Sequence, residues 1–266
     1  EHIKIYACGP TVYNFAHIGN ARMAVVFDNL VRLLRYLYPK VTYVSNITDI
    51  DDKIIDAANT LNVPFKDITE KYADIYNTDM AKLGVLIPDI QPKATEYIPE
   101  MIELISDLIN KDHAYEREGH VLFDVLSYPN YGLLSNRNRD EQIAGSRVEI
   151  APFKKDPADF VLWKPSSKDQ PGWDSPWGFG RPGWHTECSA MSQKTLGLPF
   201  DIHGGGRDLT FPHHENEIAQ SCCSSADIEN PNSYSNYWMH NGFVTVNSEK
   251  MSKSLNNILL VDDLIK

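Results

Sequence analysis

The sequence has no long hydrophobic run. Across its 266 residues no stretch approaches 18 consecutive apolar residues, the length at which a membrane-spanning helix is inferred. The first 20 residues lack the layout of a secretory signal peptide, and internal repeats and low-complexity tracts are missing. The hydrophobic content of 42% is ordinary for a globular protein. We therefore expect a protein outside the membrane, with a core of normal size.

Cysteine is scarce. The four cysteines, Cys8, Cys188, Cys222 and Cys223, do not make a disulfide framework in a chain this long. They also form no Cys-x-x-Cys pattern, the spacing most typical of a zinc site. Their number favours a reducing compartment, and we expect a cytoplasmic location.

Positive charge is in deficit, since the formal net charge is −11 at pH 7. This value argues against broad, nonspecific binding to nucleic acid. Five basic residues between positions 137 and 155 are candidates for a local basic face. A cluster of solvated charges is an equal alternative for them. These residues are Arg137, Arg139, Arg147, Lys154 and Lys155.

The first fifty residues predict a strand, a helix and a second strand. Residues 2–8 alternate and favour a strand, and apolar residues then follow helical spacing from Met23 to Leu37. Residues 40–48 are again strand-like. A unit of this length suits a parallel crossover. Further helices are predicted near residues 68–83 and 101–108.

The pattern changes between about residues 93 and 182. Short strand-like segments, 120–125 and 159–163, alternate there with long connections that contain Pro, Ser and Gly. Strand and helix signals resume at 199–206 and near Pro212. The sequence thus predicts a doubly wound, Rossmann-like α/β fold with a parallel sheet, split by an α+β insertion. Residues 1–92 and 183–228 would form the two halves of the nucleotide-binding domain, with 93–182 inserted between them.

Two short motifs point to phosphate chemistry. His17-Ile18-Gly19-Asn20 stands at the predicted helix start, where backbone N–H groups and the helix dipole favour anions. His17 can donate a hydrogen bond to a phosphate oxygen, although a histidine here is more often a cap or a packed residue. Residues 250–254 read Lys-Met-Ser-Lys-Ser. Two ammonium groups in such a loop suit the negative charge that builds up when ATP activates a carboxylate.

Both motifs and their surroundings resemble the cysteinyl-tRNA synthetase family, within the class I aminoacyl-tRNA synthetases. The resemblance runs nearly end to end and is carried by YACGPTVYNFAHIGNAR (6–22), NITDIDDKI (46–54), GRPGWHTECSAMS (180–192), DIHGGGRDLTFPHHENEIAQS (201–221) and KMSKSLNN (250–257). It implies activation of cysteine with ATP and Mg²⁺ to cysteinyl adenylate, then transfer to the 3′ end of tRNA(Cys), by a monomer. It also implies a linking, stem-contact subdomain over 229–266. We expect the chain to be a piece of a longer protein that carries a further tRNA- and anticodon-binding region.

The resemblance assigns roles around ATP and the amino acid. The residues implied in catalysis are His17, Asn20, Lys250 and Lys253, and those implied in ATP binding are Gly9, His17, Gly19, Asn20 and Lys253. Asn20 stands where many synthetases carry His, which puts an acid–base role at this position in doubt. The lysine loop is expected to be exposed and mobile without ATP. Cys8, Thr48, Trp184 and Asp208 are implied around the bound cysteine. Asp208 would pair with its ammonium group, and Trp184 would supply an apolar wall.

A zinc site is the third implication. His213 and Glu217 are four residues apart and share one helical face, but spacing alone predicts zinc only weakly. Without the resemblance, Cys8 and Cys188, the latter in a Gly-rich stretch, could be buried small hydrophobic residues. The resemblance implies that Cys8, Cys188, His213 and Glu217 bind one zinc ion, which selects the substrate thiol over the hydroxyl of serine. His214 is the main rival ligand.

Two other functions stay open at this point. A cysteine ligase of mycothiol biosynthesis resembles the same family but joins cysteine to an amino sugar. A noncatalytic synthetase paralogue would act as a binding or regulatory module. The intact motifs, with His17, Lys250 and Lys253 present, argue against the paralogue, and the stretches 11–22 and 213–221 fit the tRNA enzyme better than the mycothiol enzyme.

Overall fold

The computed structural model describes residues 1–145, 152–246, 249–251 and 257–265. The chain folds into two compact units, each with its own packing. The first unit consists of Glu1–Thr95, Asp201–Asp208 and Trp238–Lys266, and the second of Glu96–Phe200 and Leu209–Tyr237. Of the helices in the described part of the chain, none is both long enough and apolar enough to cross a membrane.

The described residues contain ten strands and eight α-helices, with short 3-10 and π turns between some of them. The strands are β1 (His2–Ala7), β2 (Lys40–Ser45), β3 (Ala114–Arg117), β4 (His120–Phe123), β5 (Phe160–Pro165), β6 (Gly180–Pro182), β7 (Phe200–Gly206), β8 (Ser235–Asn241), β9 (Thr245–Val246) and β10 (Glu249–Lys250). The helices are α1 (Ile18–Leu37), α2 (Asp52–Leu61), α3 (Phe65–Lys82), α4 (Ile98–Asn110), α5 (Arg139–Gly145), α6 (Trp184–Leu196), α7 (Glu215–Ser224) and α8 (Val261–Ile265).

A parallel sheet forms the centre of the first unit. Strand β1 pairs in parallel with β2 on one side and with β7 on the other, so that Ile5 lies opposite both Tyr43 and Ile202. Helix α1 connects β1 to β2 and buries Met23, Phe27 and other apolar residues against this sheet. The spacing of these residues, four positions apart, places them on one helical face. The predicted α/β fold with a parallel sheet is confirmed.

A second apolar cluster supports the other side of α1. Ala21 and Ala24 of α1 pack there with Tyr76 and Met80 of α3 and with Ile47, which follows β2. Small residues on α1 allow the close approach of α3. The packing of Ala21 and Ala24 against α3 therefore fixes the first turns of α1, where the His17 motif lies.

The second unit combines an antiparallel sheet with a helical layer. Strands β3, β4, β5 and β6 lie in that order in one sheet, and Phe123 of β4 stacks on Phe160 of β5 with ring centroids 4.9 Å apart. The predicted strands near 120–125 and 159–163 are observed as β4 and β5. Helices α4, α6 and α7 pack against one another in the same unit.

One local expectation differs from the structure. Cys188 lies inside helix α6 and not in a glycine-rich stretch, because the last of the preceding glycines, Gly183, is the N-cap residue of that helix. The strand signal at 199–206 is observed as β7, which extends to Gly206.

Candidate functional site

The start of α1 is closed by a reciprocal pair of hydrogen bonds. His17 is the N-cap residue, and its Nδ1 accepts a hydrogen bond from the backbone N–H of Asn20 at 3.2 Å. In return, the backbone N–H of His17 donates to Oδ1 of Asn20 at 3.1 Å. This is a capping box built from His and Asn in place of the usual Ser or Thr with Glu.

The capping box sets the chemistry that His17 can perform. Because Nδ1 accepts a hydrogen bond, the ring is neutral and its proton is on Nε2, which is a hydrogen-bond donor. The amide Nδ2 of Asn20 is a donor as well, since Oδ1 serves as the acceptor in the cap. The first turn of α1 carries no acidic residue, so the helix dipole there favours an anion. The arrangement suits a phosphate group.

Gly19 makes room for the His17 ring. A Cβ added to Gly19 would lie 2.9 Å from both Cε1 and Nδ1 of His17. Real Cβ contacts are rarely this short, so a larger residue would push the imidazole away from the helix start. The glycine of the motif is therefore required by the position of the histidine.

Met251 and Leu259, which stand before and after Lys253 in the sequence, contact the same helix start. Met251 is buried, and its methyl carbon lies 3.5 Å from the position of an added Cβ on Gly19. The backbone N–H of Ile18 donates to the carbonyl of Leu259 at 3.0 Å.

Lys250 pairs with Thr245 in the two-stranded ribbon of β9 and β10. Lys253 lies outside the described residues, as does Arg147 of the predicted basic face, so both assignments stay predictions.

Gly9 is held by the segment after β2. Its N–H donates to Oδ1 of Asn46 at 2.9 Å, and a Cβ on Gly9 would lie only 1.6 Å from the backbone oxygen of Asn46. The Nδ2 group of Asn46 donates to Oγ1 of buried Thr48 at 3.2 Å. Asn46, which sequence reasoning did not single out, thus connects two residues with predicted roles in ATP and cysteine binding.

Cys8 and Asp208 also belong to the first unit. Cys8 directly follows β1, is buried, and donates its backbone N–H to the carbonyl of Gly204 at 3.0 Å. Asp208 lies two residues beyond β7 and is exposed. An exposed carboxylate can bind an ammonium group without the cost of burying an unpaired charge. The predicted roles of both residues remain predictions.

The second unit contains a buried group of metal-binding side chains. The ligand atoms of Cys188, His213 and Glu217 all lie within 4.8 Å of one another. Their side chains are almost completely inaccessible, and Nε2 of His213 is 3.1 Å from Oε1 of Glu217. Helix α6 supplies the cysteine, while the glutamate comes from the first turn of α7 and the histidine from the turn just before it.

The donor set of this group fits zinc. A cysteine sulfur, an imidazole nitrogen and a carboxylate oxygen are the three kinds of ligand that zinc takes from proteins. Burying three such polar groups together is costly unless they are paired or hold a metal. His214 also has a ligand atom within 4.8 Å of Glu217, but within this unit only His213 forms a group with both Cys188 and Glu217 among the described residues. This favours His213 over its neighbour.

Aromatic residues of α6 surround His213. Nδ1 of His185 lies 3.0 Å from Nδ1 of His213, and the ring of Trp184 stacks on His213 at a centroid distance of 4.3 Å. Burial, and then the nearby His213, hold the pKa of His185 well below its usual value, so this ring is neutral. It can accept a hydrogen bond from Nδ1 of His213 and so fix which nitrogen of His213 faces a ligand.

The carboxylate of Glu217 has a partner of its own. The hydroxyl of Tyr234 donates to Oε2 of Glu217 at 2.7 Å, and Tyr234 is fully buried. Burial, and then the charge of Glu217, raise the pKa of Tyr234 well above its usual value, so the phenol keeps its proton. Sequence reasoning singled out neither His185 nor Tyr234. His185 at least neighbours Trp184 in a stretch of family resemblance, whereas nothing near Tyr234 in the sequence marks it.

The fold is shared with aminoacyl-tRNA synthetases of known structure. The methionyl-tRNA synthetase of Mycobacterium tuberculosis in complex with methionyl-adenylate superimposes with a TM-score of 0.72 at 14% identity, over 97% of this chain and 60% of that one. A putative arginyl-tRNA synthetase from Campylobacter jejuni gives 0.63 at 13% identity, over 100% and 60% of the two chains. At these identities the likeness establishes the fold alone.

Sequence comparison identifies the family. The family model for the tRNA synthetases class I (C) catalytic domain matches residues 1–266, and the chain belongs to this family. A cysteine--tRNA ligase of Maricaulis maris is 62% identical over 266 residues, which are 99% of this chain and 57% of that protein. A cysteine--tRNA ligase of Parvibaculum lavamentivorans is 63% identical over 100% of this chain and 56% of its own length. The chain thus spans little more than half the length of these relatives.

Proposed function

We propose that the chain is the catalytic part of a cysteine–tRNA ligase, which activates cysteine with ATP and transfers it to tRNA(Cys). The observation that carries this proposal is the buried group of Cys188, His213 and Glu217, whose ligand atoms lie within 4.8 Å of one another. A thiol-binding metal centre is what a synthetase needs in order to separate cysteine from serine. The identity of 62% to a cysteine--tRNA ligase supports the same conclusion.

The start of α1 would bind the phosphates of ATP. Nε2 of His17 and Nδ2 of Asn20 are the side-chain donors, and the dipole of α1 adds partial positive charge at the helix start. Asn20 then positions His17 and stabilises charge, and it takes no part in proton transfer. Gly9 lets the backbone approach the nucleotide, and Lys250 and Lys253 meet the charge that grows on the α-phosphate and pyrophosphate. The Mg²⁺ of this proposal would arrive with ATP.

Recognition of the amino acid has three parts. Asp208 binds the ammonium group, Trp184 forms an apolar wall, and the hydroxyl of Thr48 contributes a polar contact. Shape alone separates substrates that differ by one small group by only about 1–3 kcal/mol. Cysteine and serine differ by a single atom, so a chemical test of the thiol is needed as well.

The metal centre would supply that test. Cys188, His213 and Glu217, with Cys8 as the predicted fourth ligand, would hold one zinc ion. Zinc binds a deprotonated sulfur readily, whereas an alcohol is far harder to ionise and is a poorer ligand. The residues around the site keep water out and fix the ligands, since all three clustered side chains are at most 2% exposed.

The remaining parts of the proposal concern partners and location. The enzyme is proposed to be a cytoplasmic monomer that uses tRNA(Cys) as acceptor. In its chain, residues 1–92 and 183–228 form the catalytic domain, 93–182 an inserted domain, and 229–266 the start of the stem-contact subdomain. Arg137, Arg139, Lys154 and Lys155 are candidate contacts for the tRNA.

ATP–pyrophosphate exchange measured with each amino acid in turn tests the proposal. We expect exchange with cysteine and background levels with the others. Exchange with no amino acid would indicate the noncatalytic paralogue. Transfer of activated cysteine to an amino sugar, and none to tRNA(Cys), would indicate the mycothiol enzyme, whose acceptor differs although its activation step is the same.

A further inference from the structure

We propose that Tyr234 is a positioning residue of the metal centre. Its hydroxyl donates a hydrogen bond to one oxygen of Glu217 and so favours binding of the ion through the other oxygen. The inference rests on the proposed function, because it takes Glu217 to be a metal ligand. It concerns a residue that neither the sequence motifs nor the ligand pattern includes.

The two oxygens of Glu217 have different surroundings. Oε2 accepts the hydrogen bond of Tyr234 at 2.7 Å, while Oε1 lies 3.1 Å from Nε2 of His213. Both Glu217 and Tyr234 are 0% exposed, so water does not compete for either oxygen. Hydrogen bonds from a hydroxyl to a carboxylate are among the strong ones in proteins. Oε1 is therefore the oxygen on the ligand side, and Oε2 is the oxygen held by the protein.

The phenol itself is held in place from two directions. Oγ of Ser192 on α6 lies 3.0 Å from the Tyr234 oxygen. Because the phenol proton goes to Glu217, the hydrogen bond in that contact runs from Ser192, whose proton is shared with the carbonyl of Ser189 at 3.2 Å. The Tyr234 ring also packs edge-on against Phe200, with centroids 5.2 Å apart and an interplanar angle of 84°. Tyr234 thus has little freedom to turn away from Glu217.

This arrangement has a consequence for metal coordination. A glutamate can bind a metal through one oxygen or through both. The hydrogen bond from Tyr234 uses one lone pair of Oε2 and draws charge from that oxygen, so Oε2 would be the poorer ligand of the two. Tyr234 would therefore favour binding of a metal through Oε1 alone, which would leave room for the sulfur of the substrate. Loss of such an outer partner typically costs about 10–100-fold in metal affinity.

The test compares Tyr234→Phe with the unaltered protein. Zinc affinity is measured by competition with a chromogenic chelator, and the visible absorption of the Co²⁺-substituted protein reports the coordination number. We expect zinc binding to weaken about 10–100-fold. We also expect the Co²⁺ bands to weaken, as they do when a four-coordinate site gains a fifth ligand. Tyr128→Phe is the matched control, because Tyr128 is equally buried in the same unit but its hydroxyl faces Cys222.

The outcomes separate this inference from the proposed function. Unchanged zinc affinity and an unchanged Co²⁺ spectrum in folded Tyr234→Phe would overturn the role of Tyr234. If Cys188→Ser nevertheless loses its zinc, the proposal of a zinc site at these residues still stands. Zinc retained at full affinity in Cys188→Ser would overturn the metal centre itself, and the role of Tyr234 with it. If Tyr234→Phe does not fold, Ser192→Ala decides: weaker zinc binding supports the proposal, and unchanged binding contradicts it.

Discussion

Substitutions at Asn20 separate the two tasks assigned to this residue, capping α1 and binding phosphate. In Asn20→Asp, a carboxylate oxygen still accepts the hydrogen bond from the backbone of His17, which Oδ1 of Asn20 accepts at 3.1 Å. An acidic residue in the first turn also interacts favourably with the helix dipole, by about 0.3–1 kcal/mol. In Asn20→Ala the acceptor is gone. We expect Asn20→Asp to be as stable as the unaltered protein and Asn20→Ala to lose about 0.5–1.5 kcal/mol.

Activity should follow the opposite order. A negative charge about 4 Å from a phosphate oxygen costs about 4 kcal/mol at an effective dielectric constant near 20. Since 1.36 kcal/mol is tenfold in rate, Asn20→Asp should lower ATP–pyrophosphate exchange by about three orders of magnitude. Asn20→Ala removes a donor without adding a charge, so its loss should be smaller, about 10²-fold. The stable variant is thus expected to be the less active one.

Chemical denaturation and pyrophosphate exchange, both measured on each variant, check this pair of expectations. Asn29→Asp is the control for activity, since it adds the same charge to an exposed position of the same helix and should leave exchange unchanged, although it removes the hydrogen bond from Nδ2 of Asn29 to the carbonyl of Val25. Exchange by Asn20→Asp at the unaltered rate would refute phosphate binding at the start of α1. A loss of stability in Asn20→Asp equal to that in Asn20→Ala would refute the capping role.

Three further expectations concern the metal, the lysine loop and the β1 segment. The purified protein should contain one zinc per molecule by mass spectrometry. Cys8→Ser and Cys188→Ser should lose this zinc, while the control Cys222→Ser should keep it. Equal zinc content in all three variants would contradict the ligand set. Lys253→Ala should lower the adenylation rate about 10²-fold or more with little change in ATP binding, and the reverse pattern would make the lysine a ground-state clamp. Gly9→Ala, whose Cβ would lie 1.6 Å from a backbone oxygen, should destabilise the protein by about 1–3 kcal/mol in denaturant titration. Gly242→Ala should not, because among the described residues other than its chain neighbours its Cβ would come nearest to Arg22, at 3.7 Å.

Helix α1 shows what the sequence alone could predict. It is apolar on one face, with Met23 and Phe27 buried against the sheet, and this periodicity is visible without a structure. The same holds for β1 and β2, whose buried ends are strongly apolar. The α/β fold follows from the alternation of such segments.

Helix α6 shows what periodicity could not predict. Polar and apolar residues alike are buried along it, including Glu187, Cys188 and Ser189. A helix surrounded by protein has no polar face, so no helical period appears in its sequence. The buried polar residues are there because they bind one another or a ligand. His185, a residue of the candidate site on this helix, therefore lies where the sequence signal is weak.

The capping box shows a limit of a different kind. The motif at His17 predicts a phosphate donor, with a helix cap as the alternative. The structure shows the cap, which Nδ1 makes, and phosphate donation from Nε2 stays a prediction that is compatible with this cap. Sequence could not decide this, since the answer depends on which ring nitrogen faces the helix.

The central claim is tested most directly by comparing cysteine with serine on zinc-loaded protein. Pyrophosphate exchange is measured with each amino acid, and X-ray absorption at the zinc edge is recorded with each one bound. We expect exchange with cysteine, background with serine, and one additional Zn–S contact that appears only when cysteine is bound. Equal exchange with serine, or binding of cysteine with no change at the metal, would contradict the claim that zinc recognises the thiol.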